Sequence, residues 1–443
     1  MIPAIFTNEA WPIFRLAGPV LLSRTGAFLI IAVDTAMCGY AGTEQIAFYG
    51  LAHGPHVSLI LIGIGSILPI AILTASADGA GSYANCGMIL RVGMTHAFVL
   101  GIILGIAMLF GEQFLLLTGQ DPELAHGAGR VMAMQGYGLA GLLCMVALSL
   151  FLEGLQRPMA ATVVTLGSNV LNAYLNWIFI FGNHGAPAMG AEGAALATTI
   201  IRWVSVAALG AYIFFTFDRV KYGIIGKIEH FREFSLRLRM LGYPTAIGHG
   251  MESASFVVMT LFAGYMGVVQ TAAWAIGMNM ITLAFMVALG FGTAASVRVA
   301  NHFGSGSRQL AARSGWTAIA LAALSLGLIS VVFVSFPQVF ATLYSQESRV
   351  LMIAIPTVVA AGLTVFLDGL QAVGVGILRG YQDMWFITMT MIITFWVVML
   401  PLAWLFGFHM DGGPPGLMWS VGIACVVAVV MLFMRFRYLI KTR

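Results

Sequence analysis

Charge is what this 443-residue chain has least of: Asp, Glu, Lys and Arg make up 9% of it, against 60% hydrophobic residues. A soluble globular protein carries about 25% charged and 45–50% apolar residues. So little charge cannot coat a water-facing surface, which excludes the soluble assembly of roughly three domains that length alone suggests. Cysteine is scarce too. Cys38, Cys86, Cys144 and Cys425 show no CxxC or zinc-type spacing, so neither a metal centre nor a disulfide framework is indicated, and buried small apolar residues are expected. Lys and Arg exceed Asp and Glu only by 21 to 17 and are dispersed, many of them in short loops. No concentrated basic face is available for nucleic acid. Walker A, HExxH and GxSxG sequences are missing, which removes an ATP-driven pump within this chain and the common membrane hydrolases.

What is present is a succession of apolar stretches along the whole length. A helical span of the hydrocarbon core takes about 20 apolar residues, and cutting at Gly, Pro and charge clusters gives twelve spans near 13–38, 46–74, 88–110, 130–152, 158–181, 191–217, 240–265, 271–297, 314–336, 351–378, 384–408 and 416–436. Continuous runs such as Phe98 to Phe110 and Ile423 to Phe433 lack the alternation of barrel strands. The expected class is an all-α polytopic membrane protein. Met1 to Ala10 has no basic n-region and the apolar stretch from Ile13 runs on to Cys38, so the first helix is expected to stay in the mature protein.

Orientation follows from the basic residues. With the N-terminus inside, that side receives sixteen of them: Arg91, Arg157, six from Arg219 to Arg239, Arg298, Arg308, Arg313, Arg379, Arg435, Arg437, Lys441 and Arg443. The other side receives Arg130 and Arg349. Both termini are therefore expected in the cytoplasm, which requires an even number of spans.

The longest polar segment, Asp218 to Arg239, divides six spans from six. A shift of 225 residues aligns Leu16 and Pro19 with Leu241 and Pro244, Gly39-Tyr40-Ala41-Gly42 with Gly264-Tyr265-Met266-Gly267, and Gly79 to Ser82 with Gly304 to Ser307. A shift of 226 pairs Leu152, Gly154 and Gln156 with Leu378, Gly380 and Gln382. A near-constant offset at separated places marks a duplication. The expected organisation is an N-terminal six-helix lobe (1–217), a cytoplasmic basic linker (218–239) and a C-terminal six-helix lobe (240–443). Lobes with even numbers of spans share an orientation, and two such lobes around a central cavity are the architecture of an alternating-access transporter.

An ionisable group in hydrocarbon costs about 2.5–3.5 kcal/mol on insertion scales and normally faces a cavity or a partner. Asp34, Glu252 and Asp368 lie within spans, whereas Glu153, Glu192 and Asp383 fall near span ends and read as interfacial. Asp34 maps by the repeat onto Met259 and Glu252 onto Ala27, so the halves share a framework but differ in polar chemistry. His249 stands three residues before Glu252 on the same helical face, where it either tunes the carboxylate or packs. Asn169, Asn172 and Asn176 form a polar stripe on the fifth span; their carbonyl oxygens suit Na⁺, their amides suit a protonated acid, and helix–helix bonding is the bland alternative. Arg24 and Arg202, also embedded, are expected to pair with acids. Gly136 to Gly141 matches GxGxxG, and Gly101/Gly105 and Gly376/Gly380 are GxxxG pairs; inside apolar helices these read as close packing rather than as a dinucleotide site.

Together, Val33-Asp34-Thr35 with Gly39 and Gly42, Arg157-Pro158, Asn172 to Asn176, Gly193 to Thr198, Glu252, and Gln371 through Leu378-Arg379-Gly380 resemble the multidrug and toxic compound extrusion (MATE) family over nearly the whole chain. Glu252 with Asp368 resembles its bacterial NorM-type branch. The resemblance implies a secondary active transporter rather than an enzyme: a cofactor-free, cation-coupled antiporter in the bacterial inner membrane, monomeric, exporting amphipathic and often cationic drugs and dyes. It further implies a first-lobe cation site at Asp34, Asn172, Asn176 and Thr198, and a second-lobe site at Glu252 and Asp368. Two positions depart from the pattern: Asn176 stands where some relatives have a carboxylate, and Thr364 where NorM-type relatives can have an aromatic residue. The coupling ion is Na⁺ or H⁺, with the oxygen-rich cluster favouring Na⁺. A lipid-linked-oligosaccharide flippase is the rival transporter and calls for a cavity richer in Arg and Lys. An intramembrane polyprenyl-phosphate transferase calls for paired acidic loops such as DDxxD, which the sequence lacks.

Overall fold

The computed structural model describes the backbone of residues 4–226 and 230–442. Lys227 and Arg443, counted above among the inward-facing basic residues, lie outside them. Among the described residues there is no strand, and twelve helices are long and apolar enough to cross a membrane. They are α1 (Ala4–Ala41), α2 (Thr43–Gly79), α3 (Tyr83–Leu109), α4 (Pro122–Gly154), α5 (Met159–Phe181), α6 (Ala191–Thr216), α7 (Phe231–Met266), α8 (Val268–Gly304), α9 (Arg308–Ser335), α10 (Ser348–Gly380), α11 (Met384–His409) and α12 (Gly413–Thr442). The chain is a multi-pass helical membrane protein, as its composition demands.

Several helices outrun the apolar stretches that announce them. α4 starts at Pro122 instead of 130, α7 at Phe231 instead of 240, and α12 ends at Thr442 instead of 436. Charge marks where hydrocarbon stops, but a helix continues until its end groups are satisfied otherwise. At α4 the stop is explicit: Asp121 Oδ1 accepts the N–H of Glu123 at 3.0 Å and of Leu124 at 3.3 Å, and Pro122 fills the first helical position. Proline explains the internal irregularities. Pro69 restarts α2 after Leu68, and Pro401 of α11 lies between two π-helical stretches, Ile393–Met399 and Leu405–His409, because it offers no N–H to the ladder.

By packing, the chain forms two compact units, Leu22–Ala246, and Met1–Leu21 with Ile247–Arg443. The duplication is present in the backbone of each. Gly42 and Gly267, ahead of α2 and α8, have φ of 145° and 117°; Gln156 and Gln382, after α4 and α10, have φ of 57° and 62°. Helix contacts repeat as well. A Cβ on Gly154 of α4 would stand 2.6 Å from the Ala71 carbonyl oxygen of α2, and one on Gly380 of α10 would stand 2.9 Å from the Ser296 carbonyl oxygen of α8. The GxGxxG stretch is packing: Gly136 faces the Gly105 carbonyl of α3, and Gly138 and Gly141 face Arg202 and Trp203 of α6. Small residues let backbones approach where lipid offers no hydrophobic drive to associate.

Candidate functional site

In the Leu22–Ala246 unit, α1 supplies Asp34, α5 Asn172 and Asn176, and α6 Thr198. Four-residue spacing puts both asparagines on one face of α5. Asn176 Nδ2 donates to Asp34 Oδ1 at 2.6 Å, and Thr198 Oγ1 donates to Asp34 Oδ2 at 2.7 Å. Asn172 joins through neighbours: its Nδ2 donates to Thr198 Oγ1 at 3.2 Å and its Oδ1 accepts from Asn176 Nδ2 at 3.3 Å. The four residues chosen from the sequence thus form one bonded cluster, with Asp34 only 1% exposed. Asn169 does not join it. Its Nδ2 donates to the Thr165 carbonyl of its own helix at 2.9 Å, so the polar stripe of α5 divides after its first member.

Tyr49 of α2 completes the cluster, donating its hydroxyl to Asp34 Oδ2 at 3.0 Å, and the sequence reading missed it. Its one signal was that a phenol buried in an apolar run must find an acceptor. Hydrogen bonds to a charged group contribute about 1.5–3 kcal/mol each, comparable with the several kcal/mol that burying a carboxylate costs. Three neutral donors therefore hold Asp34 in place without cancelling its charge. Among the described residues, no Lys, Arg or His stands within 4.0 Å of the Asp34 carboxylate.

Asp34 and Tyr49 line an internal cavity of about 200 Å³ in the same unit, together with Arg24, His53, His56 and Arg202. Arg24 has the acid expected for it: its Nη2 lies 3.2 Å from Glu153 Oε1. That contact corrects the reading of Glu153 as interfacial, since the carboxylate is drawn into the unit and left 2% exposed. Arg202 has no carboxylate within 4.0 Å among the described residues. Its Nη2 instead donates to His56 Nε2 at 3.3 Å, because its face of α6 turns towards α2.

The second unit holds Glu252 on α7 and Asp368 on α10. They share no hydrogen bond; each has its own partner. His249 Nδ1 lies 3.5 Å from Glu252 Oε2, and His249 Nε2 lies 3.1 Å from Arg379 Nη2. Guanidinium only donates, so Nε2 accepts and the ring proton sits on Nδ1, facing Glu252. His249 is thus an orienting neighbour of the carboxylate rather than packing alone. Asp368, 9% exposed, has the Cys425 thiol at 3.9 Å as its polar contact. Thr364 turns to the Met418 carbonyl at 3.4 Å. Met259, the repeat counterpart of Asp34, is wholly buried, so the polar chemistry differs between the halves as the repeat predicts.

The remaining span-end acids meet cations: Glu192 pairs with Arg130, and Asp383 Oδ2 lies 2.7 Å from Arg435 Nε. Glu9 of α1 escaped the sequence reading because it precedes the apolar run. It is buried against Arg298 (2.7 Å), Ser314 (2.8 Å) and His302 (3.4 Å), all within the second unit.

Known proteins match this architecture from end to end. The family model MatE covers residues 19–178 and 244–405, one stretch in each repeat. The chain is 31% identical to a probable multidrug resistance protein NorM of Caulobacter vibrioides over 96% of its own length and 91% of the relative's. It is 30% identical to one of Mesorhizobium japonicum over 99% and 95%. The crystal structure of a eukaryotic MATE transporter, AtDTX14, superposes with a TM-score of 0.87 at 21% identity, covering 97% of this chain and 96% of the other. An outward-facing multidrug resistance MATE transporter of the MOP superfamily superposes with 0.88 at 18% identity, covering 98% and 96%. On this ground the chain belongs to the MatE family, and is a membrane transporter of the multidrug and toxic compound extrusion class rather than an enzyme.

Proposed function

We propose that this transporter is a monomeric, cation-coupled antiporter that exports amphipathic, often cationic, small molecules across the bacterial inner membrane by alternating access. The observation that carries the proposal is Asp34: a buried carboxylate held by three neutral donors, beside a cavity, with no Lys, Arg or His within 4.0 Å among the described residues. Such a group is completed by a cation that comes and goes. Exchange by competition follows. A coupling cation on the embedded carboxylates favours the state that has released a cationic solute, and its departure restores the charge that attracts the next. The multidrug resistance names of the Caulobacter and Mesorhizobium relatives support the solute class.

Na⁺ is the proposed coupling ion. Oxygens of Asp34, Asn172, Asn176 and Thr198 are within one bonded cluster, and Asn176 Oδ1 has no hydrogen-bond partner among the described residues. Turning that amide would present it beside Asp34 as a hard ligand. In proteoliposomes, an imposed Na⁺ gradient at equal pH should drive dye transport several-fold above the ungradiented rate, and a pH gradient without Na⁺ should not. The reverse result would identify a proton-coupled carrier, and a carrier driven by neither gradient would end the coupled-antiport reading.

Both termini and the central polar segment are proposed to be cytoplasmic, on the sixteen-to-two basic bias. Val220 and Leu117 are 80% and 88% exposed, and each can carry a single cysteine in a background lacking the four native ones. An impermeant maleimide should label Leu117→Cys in intact cells and Val220→Cys only after permeabilisation. Labelling of Val220→Cys from outside would invert the topology.

A further inference from the structure

Four cations at one membrane end of the second unit take no part in the coupling scheme. Arg308 and Arg313 open α9, Arg437 and Lys441 close α12, and all four are exposed. Other arginines near span ends meet acids: Arg130 lies on Glu192, Arg298 on Glu9 and Arg435 on Asp383. These four have no carboxylate within 4.0 Å among the described residues, and residues 308–322 and 428–442 contain no Asp or Glu. Successive spans alternate in direction, so the start of α9 and the end of α12 lie at the same membrane surface. Packing brings them together. α12 closes on α9 at Gly315, where a Cβ would stand 2.6 Å from Cζ of Phe436. Next to it the Trp316 ring meets Phe436 and Phe433 at centroid distances of 5.3 and 6.4 Å. Arg313 is three residues before Trp316 and Arg437 four after Phe433, so each stands one turn nearer the surface on the same helix face as its aromatic. Ala312, three before Gly315, faces α12 at that level with only a methyl group. Arg308, four before Ala312, and Lys441, four after Arg437, stand a further turn out. The result is a notch with an aromatic floor and cations on both rims.

We propose that the notch between the start of α9 and the end of α12 binds the headgroup of an anionic phospholipid, and that the two phosphates of a cardiolipin match it best. Guanidinium presents a planar fork that bonds two phosphate oxygens at once, and each helix contributes one such rim residue with a second cation beyond it. Below the rims the same helix faces turn apolar, with Leu324 and Leu328 on α9 and Val426 and Val430 on α12 exposed. An occupant that satisfies both levels carries negative charge at the membrane surface and hydrocarbon beneath it, which is the chemistry of a lipid rather than of a soluble anion. A second copy of this chain meets the notch poorly, since a two-fold contact would set its four cations against these four. On the topology proposed above the notch opens at the cytoplasmic leaflet, whose surface is negative, and basic pockets between spans on that side suit such headgroups.

The test is native mass spectrometry of the purified full-length protein in an uncharged detergent, titrated with tetraoleoyl cardiolipin or with dioleoylphosphatidylcholine, which keeps the acyl chains and has no net charge. Wild type should bind cardiolipin at least about tenfold more tightly than phosphatidylcholine. Arg313→Gln with Arg437→Gln should lower cardiolipin affinity about tenfold and leave phosphatidylcholine binding within about twofold. Arg219→Gln with Arg232→Gln removes the same charge elsewhere and should leave both within about twofold. The outer pair supplies a second variant: Arg308→Gln with Lys441→Gln should weaken cardiolipin several-fold, and it decides the matter where the inner pair gives no folded protein. Equal binding of the two lipids by wild type overturns the site. An equal loss of cardiolipin in the Arg219 and Arg232 variant also overturns it, by showing diffuse attraction to net charge. Displacement of cardiolipin by millimolar inorganic phosphate at matched ionic strength would assign the notch to a soluble anion, and a lipid-free mass of two chains that the inner-pair variant reduces to one would assign it to a second copy; either result overturns the proposal. Binding is read without a gradient or a solute, so the lipid site stands or falls apart from the transport reading.

Discussion

Asp34→Asn should abolish gradient-driven efflux from proteoliposomes, to about a hundredth of the wild-type rate or less, while expression and melting temperature stay near normal. The substitution keeps the shape and removes the charge. A cation site that loses its only carboxylate forfeits on the order of 3 kcal/mol, which is a factor of roughly 100 or more in affinity. The stability cost should be smaller. An Asn amide at position 34 turns one acceptor into a donor, against Asn176 Nδ2 at 2.6 Å or against the Thr198 and Tyr49 hydroxyls at 2.7 and 3.0 Å. Hydroxyl protons rotate to accept such a donor, so the new amide should settle towards Thr198 and Tyr49 with its oxygen facing Asn176. The informative companion is Tyr49→Phe, which deletes one of three donors and leaves the carboxylate; it should slow efflux several-fold and weaken the apparent affinity for the coupling ion. Wild-type rates for Asp34→Asn in sealed vesicles would show the carboxylate to be structural and remove the basis of the exchange mechanism.

How far this site could be read in the sequence depended on what each residue needed from its neighbours. Asp34, Asn172 and Asn176 were legible because charge and amides are costly in an apolar helix wherever the helix sits. Tyr49 was not, since its apolar ring suits lipid and only its hydroxyl asks for a partner. Glu153 shows the opposite failure. Its position next to a span end suggested water, but Arg24 of α1 reaches it and the carboxylate is enclosed. Arg379 was legible only as a basic residue at a span end, and its contact with His249 of α7 was not. Local sequence fixes depth along a helix well and the facing direction poorly, and pairing across helices is decided by the facing direction.

The fold was legible for a different reason. Hydrocarbon thickness sets the helix length, the basic bias sets the parity, and the 225-residue repeat carries its own backbone punctuation, with positive φ at Gly42 and Gly267 and at Gln156 and Gln382. Helix ends were lost where they leave the apolar zone, as at Pro122 and Phe231. Hydropathy is silent there, and only capping chemistry such as that of Asp121 marks the start.

Glu252→Gln and Asp368→Asn should each reduce efflux tenfold or more, and their stabilities should separate two kinds of embedded acid. Glu252 is the end of a chain of contacts from Arg379 through His249. Its neutralisation removes the negative charge facing His249 Nδ1, so Glu252→Gln should lower stability by about 1 kcal/mol, the net contribution of one hydrogen bond. Asp368 has a thiol 3.9 Å away as its polar contact, and Asp368→Asn should leave stability almost unchanged. His249→Gln should fall between: an amide can still bridge Arg379 and Glu252, so efflux should drop a few-fold and recover with rising concentration of the coupling ion. Asp383→Asn is the control. Its partner Arg435 is partly exposed, exposed pairs contribute about 0–1 kcal/mol, and transport should stay within about twofold. Efflux at the wild-type rate in both Glu252→Gln and Asp368→Asn, with Asp34→Asn inactive, would confine coupling to the Leu22–Ala246 unit and make the second-unit acids part of the scaffold.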